Sequence, residues 1–317
     1  MSSGRGCRRD GSLLVMTLWV VVILGLLAVS VGRQMAIEIR LARYRASLAQ
    51  AKALARSGAY LAIARLAADE TEHDALGDDW ARAREPLGPE DFRARVTGVT
   101  DLERKLNLNL LSDTMLEALL GSPEAAARVR DYLDEPDPIE QDPDAEPPYV
   151  PKDGPMTDVA ELDDIPGLAP EALAALRALT AVTPDPAAPA AVNINTAERE
   201  VLLAIAGPEL GGEAAQGVIE ALMAARPGPD GEFGTPDDCV VTDMVEAPAT
   251  LEACTRRPQT LFIELLSKGV FGVRSELFLV EAEGEAGRPG ARHRVRALVR
   301  RGVPGEWPAV LAWEEGG

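Results

Sequence analysis

The stretch "RDGSLLVMTLWVVVILGLLAVSVGRQ", residues 9–34, decides the fold of this chain. From Leu13 to Gly32 it runs for 20 residues with only Thr17 and Ser30 as mildly polar exceptions. A helix of this length spans about 30 Å, the thickness of the hydrocarbon core of a bilayer. A secretory signal has a shorter apolar segment, about 7–15 residues, and then a small-x-small cleavage site, which does not follow here. The stretch therefore predicts a membrane helix that the mature protein keeps.

Basic residues precede this apolar run: Arg5, Arg8 and Arg9. They predict that the short N-terminus stays in the cytoplasm while the rest of the chain crosses the membrane. A basic leader that ends in Gly11 directly before a long apolar helix also resembles a prepilin-type leader. In such leaders a peptidase cuts after the glycine, which would leave Ser12 as the new N-terminus. The alternative is a plain single-pass anchor that is never cut.

One position in the apolar run departs from the usual pilin pattern. Most pilins and pseudopilins carry Glu at the fifth position of the mature chain, and here that position is Met16. No carboxylate occurs anywhere between Ser12 and Arg33. The leader is therefore either a false match or the leader of an unusual subunit that lacks this Glu.

The helical pattern continues beyond the membrane, from Gln34 to about Asp69. This segment is rich in Ala, Leu and Arg, has no Pro and contains a single Gly. Apolar residues recur at three- and four-residue spacing: Ile37, Leu41, Tyr44, Leu48, Leu54, Tyr60, Leu61 and Leu66. We expect one long helix whose first half lies in lipid and whose second half packs on a soluble domain. A coiled-coil stalk would need sustained heptads, which do not extend beyond two or three.

The composition narrows the possible functions. The net charge is −19, and only 4 of the 32 basic residues are lysines. An acidic surface repels phosphate backbones, which argues against a nucleic-acid partner. The two histidines, His73 and His293, have no metal-ligand spacing around them, and the sequence has no Walker loop, dinucleotide glycine motif, Gly-x-Ser-x-Gly or Cys-x-x-Cys. Together these absences predict that the protein is not an enzyme.

The number of cysteines in the mature chain depends on whether the leader is removed. Cys7 lies in the leader and would be removed with it, which leaves Cys239 and Cys254 as an even pair. Outside the cytoplasm such a pair predicts a disulfide, worth about 3 kcal/mol by the chain-entropy estimate. Two buried free thiols are the alternative.

The middle of the chain contains two segments of similar sequence. "KLNLNLLSDTMLEALLG" (residues 105–121) resembles "AVNINTAEREVLLAIAG" (residues 191–207), since each has Asn-x-Asn before an apolar helix that ends in Gly. We expect side chains at each helix start to accept backbone N–H groups, and glycines to cap each helix end: Asn109, Asn195 and Thr196, then Gly121 and Gly207. Between the two copies, Ile165-Pro166-Gly167-Leu168 indicates a tight turn between two helices, a pattern that also occurs in helix-hairpin-helix modules that bind DNA phosphates. The acidic charge favours plain helix caps.

A series of motifs along most of the chain resembles a known protein family. It runs "DLERKLNLNLL", "VRDYLDEPD", "DAEPPYVPKDGPMTDVAELDDIPGL", "LTAVTP", "AVNINTAEREVLLAI" and "VRSELFLVEAEGE". Together these resemble the minor pseudopilin K family of the bacterial type II secretion system, from Gly11 to about Trp313. The most specific parts are residues 101–109, 131–137 and 192–197. This pseudopilin class lacks the fifth-position Glu, so Met16 supports the resemblance, whereas Tyr132 stands where Trp is expected and Ser12 is an atypical mature N-terminus.

The resemblance implies an α+β fold: a pilin-like long N-terminal helix packed on a small antiparallel sheet, with a large all-α domain inserted. Alternating residues independently predict strands in "DFRARVTGVTDLE" (residues 91–103), "SELFLVEAEGE" and "RHRVRALVRR". We therefore divide the chain into a leader (1–11), the transmembrane part of the helix (12–33), a pilin-like core (34–105 and 263–317) and an inserted helical domain (106–262).

Two acidic stretches suggest bound calcium. "DYLDEPDPIEQDPDAE" (residues 131–146) is read more simply as a solvated loop. In "GPDGEFGTPDDC" (residues 228–239), tight turns surround three carboxylates: Asp230, Asp237 and Asp238. Ca²⁺ takes 6–8 hard oxygens from carboxylates and turn carbonyls, although this spacing is not that of an EF-hand. Proteins of the family that the chain resembles carry calcium in the helical domain, and this implies a Ca²⁺ site here.

The family resemblance implies a role in assembly. We expect a minor pseudopilin at the tip of the pseudopilus, anchored once in the bacterial inner membrane with its C-terminal domain in the periplasm. The implied partners are the minor pseudopilins I and J and the prepilin peptidase, which would also lead to methylation of the new N-terminus. The main alternative is a membrane-anchored periplasmic binding module that is never built into a filament. A helix-hairpin-helix nucleic-acid binder is the third.

Overall fold

The computed structural model describes residues 10–82, 84–134, 149–183, 191–267, 269–288, 290–302 and 306–316. Most of the leader and most of the acidic stretch at residues 131–146 lie outside the described residues.

Eight helices and eight strands lie in the described residues. The helices are α1 (Asp10–Ala68), α2 (Asp113–Leu120), α3 (Pro123–Leu133), α4 (Pro170–Leu179), α5 (Arg199–Leu210), α6 (Gly212–Ala225), α7 (Ala247–Thr255) and α8 (Gln259–Leu266). The strands are β1 (Phe92–Asp101), β2 (Leu106–Asn107), β3 (Thr180–Ala181), β4 (Val192–Asn193), β5 (Phe271–Gly272), β6 (Leu277–Ala286), β7 (Ala291–Arg300) and β8 (Ala309–Gly316). Three 3₁₀ turns accompany them: Leu102–Arg104, Leu108–Leu110 and Val159–Asp164.

The long helix α1 divides into an exposed half and a packed half, as the sequence predicts. Its residues are exposed from Leu13 to Ala46, and α1 is the helix of the described chain that is long and apolar enough to cross a membrane. Beyond that point a stripe of mostly small residues is buried against the sheet: Ala51, Ala55, Ala59, Ala62, Ile63 and Leu66. The small side chains let the helix backbone approach β6 closely. A Cβ atom at Gly284 would lie only 2.0 Å from the carbonyl oxygen of Ala51, so this position requires glycine.

The sheet that receives α1 has four antiparallel strands in the order β1-β6-β7-β8. The inward-facing residues of β6 and β7 form its core with α1: Phe278, Val280, Ala282, Val295, Ala297 and Val299. The predictions for β1, β6 and β7 are confirmed, but β8 was not predicted. The C-terminal end of β8 is tied to α1 by Glu315, whose carboxylate binds Lys52 at 2.6 Å and Arg56 at 2.7 Å. The hydrogen bond from Arg56 lowers the pKa of Glu315, with Lys52 and Trp313 acting in the same direction.

The remaining helices share a second hydrophobic core that extends from Leu106 to Phe271. This helical region lies between β1 and β6 in the chain. We expected an all-α domain from the sequence, but the region also contains four short strands. The short strands β2 and β3 pair in parallel, and so do β4 and β5. Each pair closes a segment that begins with Asn-x-Asn and continues into helices. We call residues 106–181 the first repeat and residues 192–272 the second repeat.

The two glycines expected to cap helices behave differently. Gly121 ends α2 in the left-handed conformation with φ of 63°, as predicted. Gly207 lies inside α5, which continues to Leu210 and is followed by Gly211 with φ of 77°. The prediction for Gly207 was wrong because a second glycine a few residues later offers the positive φ that a C-cap favours.

Candidate functional site

The second Asn-x-Asn turn sits at the contact between the helical region and the sheet. Asn193 accepts the backbone N–H of Asn195 at 2.9 Å, a local bond that shapes the turn. Asn195 then accepts the N–H of Val241 at 2.9 Å and donates to the Val241 carbonyl at 2.8 Å and to the Asp74 carbonyl at 3.2 Å. Both asparagines are almost fully buried. This turn therefore joins three segments that are distant in sequence.

A hydroxyl–carboxylate network extends from this turn to the start of β6 and the end of β1. Asn193 donates to the Ser275 hydroxyl at 2.7 Å, and Ser275 in turn donates to Asp101 Oδ2 at 2.7 Å. Thr196 donates to the same oxygen of Asp101 at 2.5 Å. Asp101 is buried, and burial raises its pKa while the Thr196 and Ser275 hydroxyls oppose that rise. The network satisfies a carboxylate that would otherwise be costly to bury.

An ion pair lies beside this network. Arg301 contacts Asp74 Oδ1 at 2.6 Å and Asp69 Oδ2 at 3.3 Å, and its guanidinium lies 4.7 Å from the ring centre of Phe278. The other oxygen of Asp74 accepts the N–H of Ser275 at 2.7 Å. Asp74 has no exposed surface, and burial raises its pKa to about 6 although Arg301 opposes the rise. Asp74 thus holds Asn195 by its main chain and Arg301 by its side chain.

Glu103 closes the same contact from the other side. Its Oε1 accepts the N–H groups of Glu276 at 2.6 Å and Leu277 at 3.1 Å, at the point where β6 begins. Burial raises the pKa of Glu103 to about 8, although these two N–H groups favour the charged form. We call the set Asp74, Asp101, Glu103, Asn193, Asn195, Thr196, Ser275 and Arg301 the junction.

The first Asn-x-Asn turn repeats the local geometry without reaching the sheet. Asn107 accepts the N–H of Asn109 at 3.2 Å. Asn109 accepts the N–H of Met156 at 2.9 Å and donates to the carbonyls of Met156 at 3.0 Å and Thr183 at 2.9 Å. Asn107 and Asn109 are only partly buried. The turn therefore closes the first repeat largely on itself.

Each repeat also holds its turn with an arginine from its second helix. Arg226 at the end of α6 donates to the carbonyls of Ala197, at 2.6 Å, and Ile194. It is buried with no carboxylate partner in the described chain, and burial lowers its pKa to about 10. Arg130 on α3 donates to the carbonyl of Leu111 and to Asp113. The two segments of similar sequence therefore also share their local structure.

The role expected for the asparagines at the helix starts was wrong. The N-cap of α2 is Ser112, which accepts the N–H of Met115, and Glu198 precedes α5 without a side-chain cap. Thr196 donates to Asp101 instead of accepting from the helix. The side chains of Asn109 and Asn195 are instead engaged by backbone groups distant from these helices.

Sequence reasoning grouped Asp101, Glu103, Asn193, Asn195 and Thr196 within its most specific motifs, but it missed Asp74 and Arg301. No local pattern marks these two residues, because each acts through a partner more than 200 positions away. Ser275 stood in a quoted motif without a role.

The structure joins Cys239 and Cys254 by a disulfide between the loop after α6 and helix α7. Cys239 also donates its N–H to the carbonyl of Arg226 at 3.1 Å, and it belongs to the helical core. The bond lies two residues before Val241, the partner of Asn195. It therefore supports the second repeat close to the junction.

The acidic loop beside Cys239 offers oxygens but not a converging trio of carboxylates. Asp230 accepts the N–H of Glu232 at 2.8 Å, and Asp238 accepts the N–H of Gly234 at 2.6 Å. A Cβ atom at Gly228 would lie 2.7 Å from both the carbonyl oxygen and Oδ2 of Asp237, so these two oxygens face one point. A hydrogen bond from Thr235 lowers the pKa of Asp237. A hard cation here would need main-chain carbonyls in addition to Asp237, as Ca²⁺ commonly takes them.

Three other carboxylates do converge in the described part of the chain: Asp69, Asp74 and Asp78 offer oxygens within 4.8 Å of one another. Arg301 supplies positive charge to two of them, and Asp78 accepts the N–H of Ala75 at 2.8 Å. This group is explained by the ion pair of the junction.

The two residues of the predicted cleavage site lie at the beginning of α1. Gly11 and Ser12 fall within its helical span, whose described part begins at Asp10. Met16 lies on the exposed part of α1, with 70% of its surface accessible. The described apolar span therefore presents no carboxylate on any face.

Comparison with known proteins agrees with the sequence motifs and the fold. Residues 98–185 match the family model "Type II secretion system (T2SS), protein K". A chain of the crystal structure of the GspK-GspI-GspJ complex from the enterotoxigenic Escherichia coli type 2 secretion system superposes with a TM-score of 0.59 at 17% identity, covering 87% of this chain and 99% of that chain. No curated protein sequence matches. The T2SS protein K resemblance is confirmed on the segment that contains Asp101, Glu103 and Asn109, and the pilin-like α+β fold is confirmed over most of the chain.

Proposed function

Because this chain carries the T2SS protein K segment and shares its fold with the complex described above, we propose that it is a minor pseudopilin located at the tip of the pseudopilus. It would start or cap the filament and support protein export, and its work would be assembly and not catalysis. The observation that carries this proposal is the combination of an apolar span in α1 that has no carboxylate, residues 13–32, and a large helical region between β1 and β6.

The missing carboxylate suggests a mechanism for the tip position. In a filament, a buried Glu near one N-terminus would pair with the amine of the neighbouring subunit, because an unpaired charge in lipid is costly. A chain with Met16 offers no such carboxylate to a subunit above it. The bulk of the helical region would also obstruct a subunit stacked above. Both features suit a subunit that occurs once and is not repeated along the filament.

The proposed partners are the minor pseudopilins I and J, because the similar structure is a complex that contains GspK, GspI and GspJ. The proposed location is the inner membrane, crossed once, with the N-terminus in the cytoplasm and the remaining domain in the periplasm. The prepilin peptidase would cut after Gly11, and the new N-terminus at Ser12 would then be methylated. The Asn-x-Asn side chains are occupied by the chain itself, and the net charge is −19, so we propose no nucleic-acid partner.

The test is the mass of the mature chain after co-expression with a prepilin peptidase. Loss of residues 1–11 would leave Ser12 first and support the pseudopilin proposal. An intact leader would favour the rival, an anchored binding module, and a cut beyond Gly32 would indicate a secreted protein. Met16→Glu then tests the mechanism, because the variant should still insert in the membrane while its incorporation changes. Unchanged secretion and unchanged pilus length would contradict the role given to position 16.

We also propose a Ca²⁺ ion in the loop between α6 and Cys239, held by Asp230, Asp237 and Asp238 with turn carbonyls. The ion would neutralise clustered carboxylates and fix an irregular loop next to the disulfide. The expected result is a lower melting temperature in EDTA that added Ca²⁺ restores, and a smaller response in Asp237→Asn. An unchanged melting temperature in both conditions would rule the ion out.

A further inference from the structure

Helix α1 does not enter the folded body directly after the apolar span. Its first fully buried residue is Ala51, which lies 19 residues and about 28 Å of helix beyond Gly32. The segment between them is exposed as far as Ala46 and carries a group of basic residues that we call the arginine collar: Arg33, Arg40, Arg43 and Arg45.

The collar reverses the charge of the chain. The whole protein has a net charge of −19, while residues 33–45 contain these four arginines and one acidic residue, Glu38, which accepts a hydrogen bond from Gln34 at 3.2 Å. None of the four arginines forms an ion pair with another described residue. An anionic lipid surface would repel most of this protein and attract the collar.

Helix geometry separates the collar into two pairs. Arg33 directly follows the apolar span, and Arg40 lies seven residues later, on the same helix face and about 10 Å further along the axis. Arg43 and Arg45 lie on other faces and about 15–18 Å beyond Arg33. The polar layer of each leaflet is only about 5–7 Å thick, and an arginine extends its head group towards it along an apolar stem. With the usual tilt of about 20° from the membrane normal, only the first pair reaches the lipid phosphates.

We propose that Arg33 and Arg40 bind the phosphates of anionic phospholipids in the leaflet where α1 leaves the membrane. Ile37 lies between them on the same face with 64% of its surface exposed, so the chain's own described residues leave this face of the helix open to the head groups. The contact holds α1 at a fixed depth before any partner subunit binds. This inference rests on the membrane span of the proposed function but not on cleavage of the leader or on a filament.

The experiment places the full chain in nanodiscs of equal parts phosphatidylethanolamine and phosphatidylglycerol. Native mass spectrometry of the released chain then gives the ratio of the two lipids that remain bound. We expect enrichment of phosphatidylglycerol, and a drop of about fivefold in that enrichment for each of Arg33→Gln and Arg40→Gln. The Arg33→Gln/Arg40→Gln double variant is the test pair, and its matched control is Arg43→Gln with Arg45→Gln, which removes the same charge and should change the enrichment by less than twofold.

Two results would overturn the proposal. One is a wild-type chain that retains both lipids equally, which would leave the collar to an acidic partner protein. The other is a control pair that lowers the enrichment as much as the test pair, which would reduce the effect to overall charge. A chain that fails to enter the nanodiscs would instead refute the membrane span itself, and the mass of the mature N-terminus tests leader cleavage separately.

Discussion

Asn109 and Asn195 each make three hydrogen bonds to main-chain atoms, but those atoms belong to different parts of the molecule. Asn109 holds Met156 and Thr183, close to or within its own repeat. Asn195 holds Val241 of its own repeat and also Asp74, which follows α1. The same short motif therefore closes the first repeat and attaches the second repeat to the sheet. The difference shows that the Asn-x-Asn motif determines the shape of the turn, while the surrounding residues determine which segments the turn connects.

The largest effect should come from the ion pair that supports the second turn. Arg301→Leu leaves the buried carboxylate of Asp74 without its cation, and we expect a loss of about 3–5 kcal/mol in the free energy of unfolding. Arg292→Leu is the control, because Arg292 lies on β7, the strand that Arg301 directly follows, is exposed and makes only long contacts. Urea unfolding of the full chain in detergent measures both. Equal midpoints for the two variants would show that Asp74 needs no cation, and the ion pair would then not explain how the second turn is attached to the sheet.

The disulfide sharpens the comparison because it belongs to the second repeat alone. Replacing Cys239 and Cys254 with alanine should lower the free energy of unfolding by about 3 kcal/mol, since it frees a loop with a sequence separation of 15. The amide of Val241 should then exchange with solvent faster, while the amide of Met156 keeps its rate. These amides are matched probes, because each donates to an Asn-x-Asn side chain at 2.9 Å. Equal acceleration of both would mean that the disulfide stabilises the whole region and not the second turn.

The asparagines themselves give the direct test. Asn195→Ala leaves the buried N–H and carbonyl of Val241 unpaired and removes one of the two side-chain hydrogen bonds to the Asp74 carbonyl, so we expect a loss of about 2–3 kcal/mol. Asn109→Ala removes the same number of bonds from a partly exposed site where water can replace them, so we expect about 1 kcal/mol. Chemical unfolding of the two variants beside wild type measures the difference. If Asn109→Ala is the more damaging, burial does not control the contrast between the turns.

The stability of the junction should also depend on pH. The pKa of Glu103 is about 8 in the folded chain, above the 4.5 of a free side chain, so the folded state holds its proton more tightly than the unfolded state does. This contribution to stability is complete below about pH 4.5 and is lost as the pH rises to about 8. Asp74 acts in the same direction up to about pH 6. The melting temperature should therefore fall between pH 5 and pH 8.

Glu103→Gln isolates this effect. A glutamine can keep both hydrogen bonds, because Glu276 and Leu277 donate to a single oxygen of Glu103. The variant should show a smaller fall in melting temperature between pH 5 and pH 8 than wild type. Glu161, whose pKa is lowered to about 2, loses its contribution below pH 4.5 and does not interfere. A variant with the wild-type slope would assign the pH dependence to other groups.

Elements with a regular period were predictable. The alternation in β1, β6 and β7 follows from burial on one face. The spacing in α1 predicted the helix but not its buried face, because Ile37, Leu41, Tyr44 and Tyr60 are exposed and the buried stripe consists mostly of alanines. Strand β8 was missed because its residues "AVLAWEEG" do not alternate, and the strand exists through its pairing with β7 and the anchor at Glu315. The caps at Asn109 and Asn195 were predicted wrongly because long-range partners took the side chains that a local rule assigned to the helices.

The sequence by itself determined the long apolar helix, the absence of a carboxylate at Met16 and the shape of the two Asn-x-Asn turns. Each depends on chain length or on a bond between residues two positions apart, such as Asn193 and Asn195. Only the tertiary structure decided that the second turn is the attached one. Asp74 and Arg301 are 227 positions apart, and they meet because α1 and β7 pack in one sheet-and-helix core. Packing at that range depends on the whole fold, and no short pattern in the sequence encodes it.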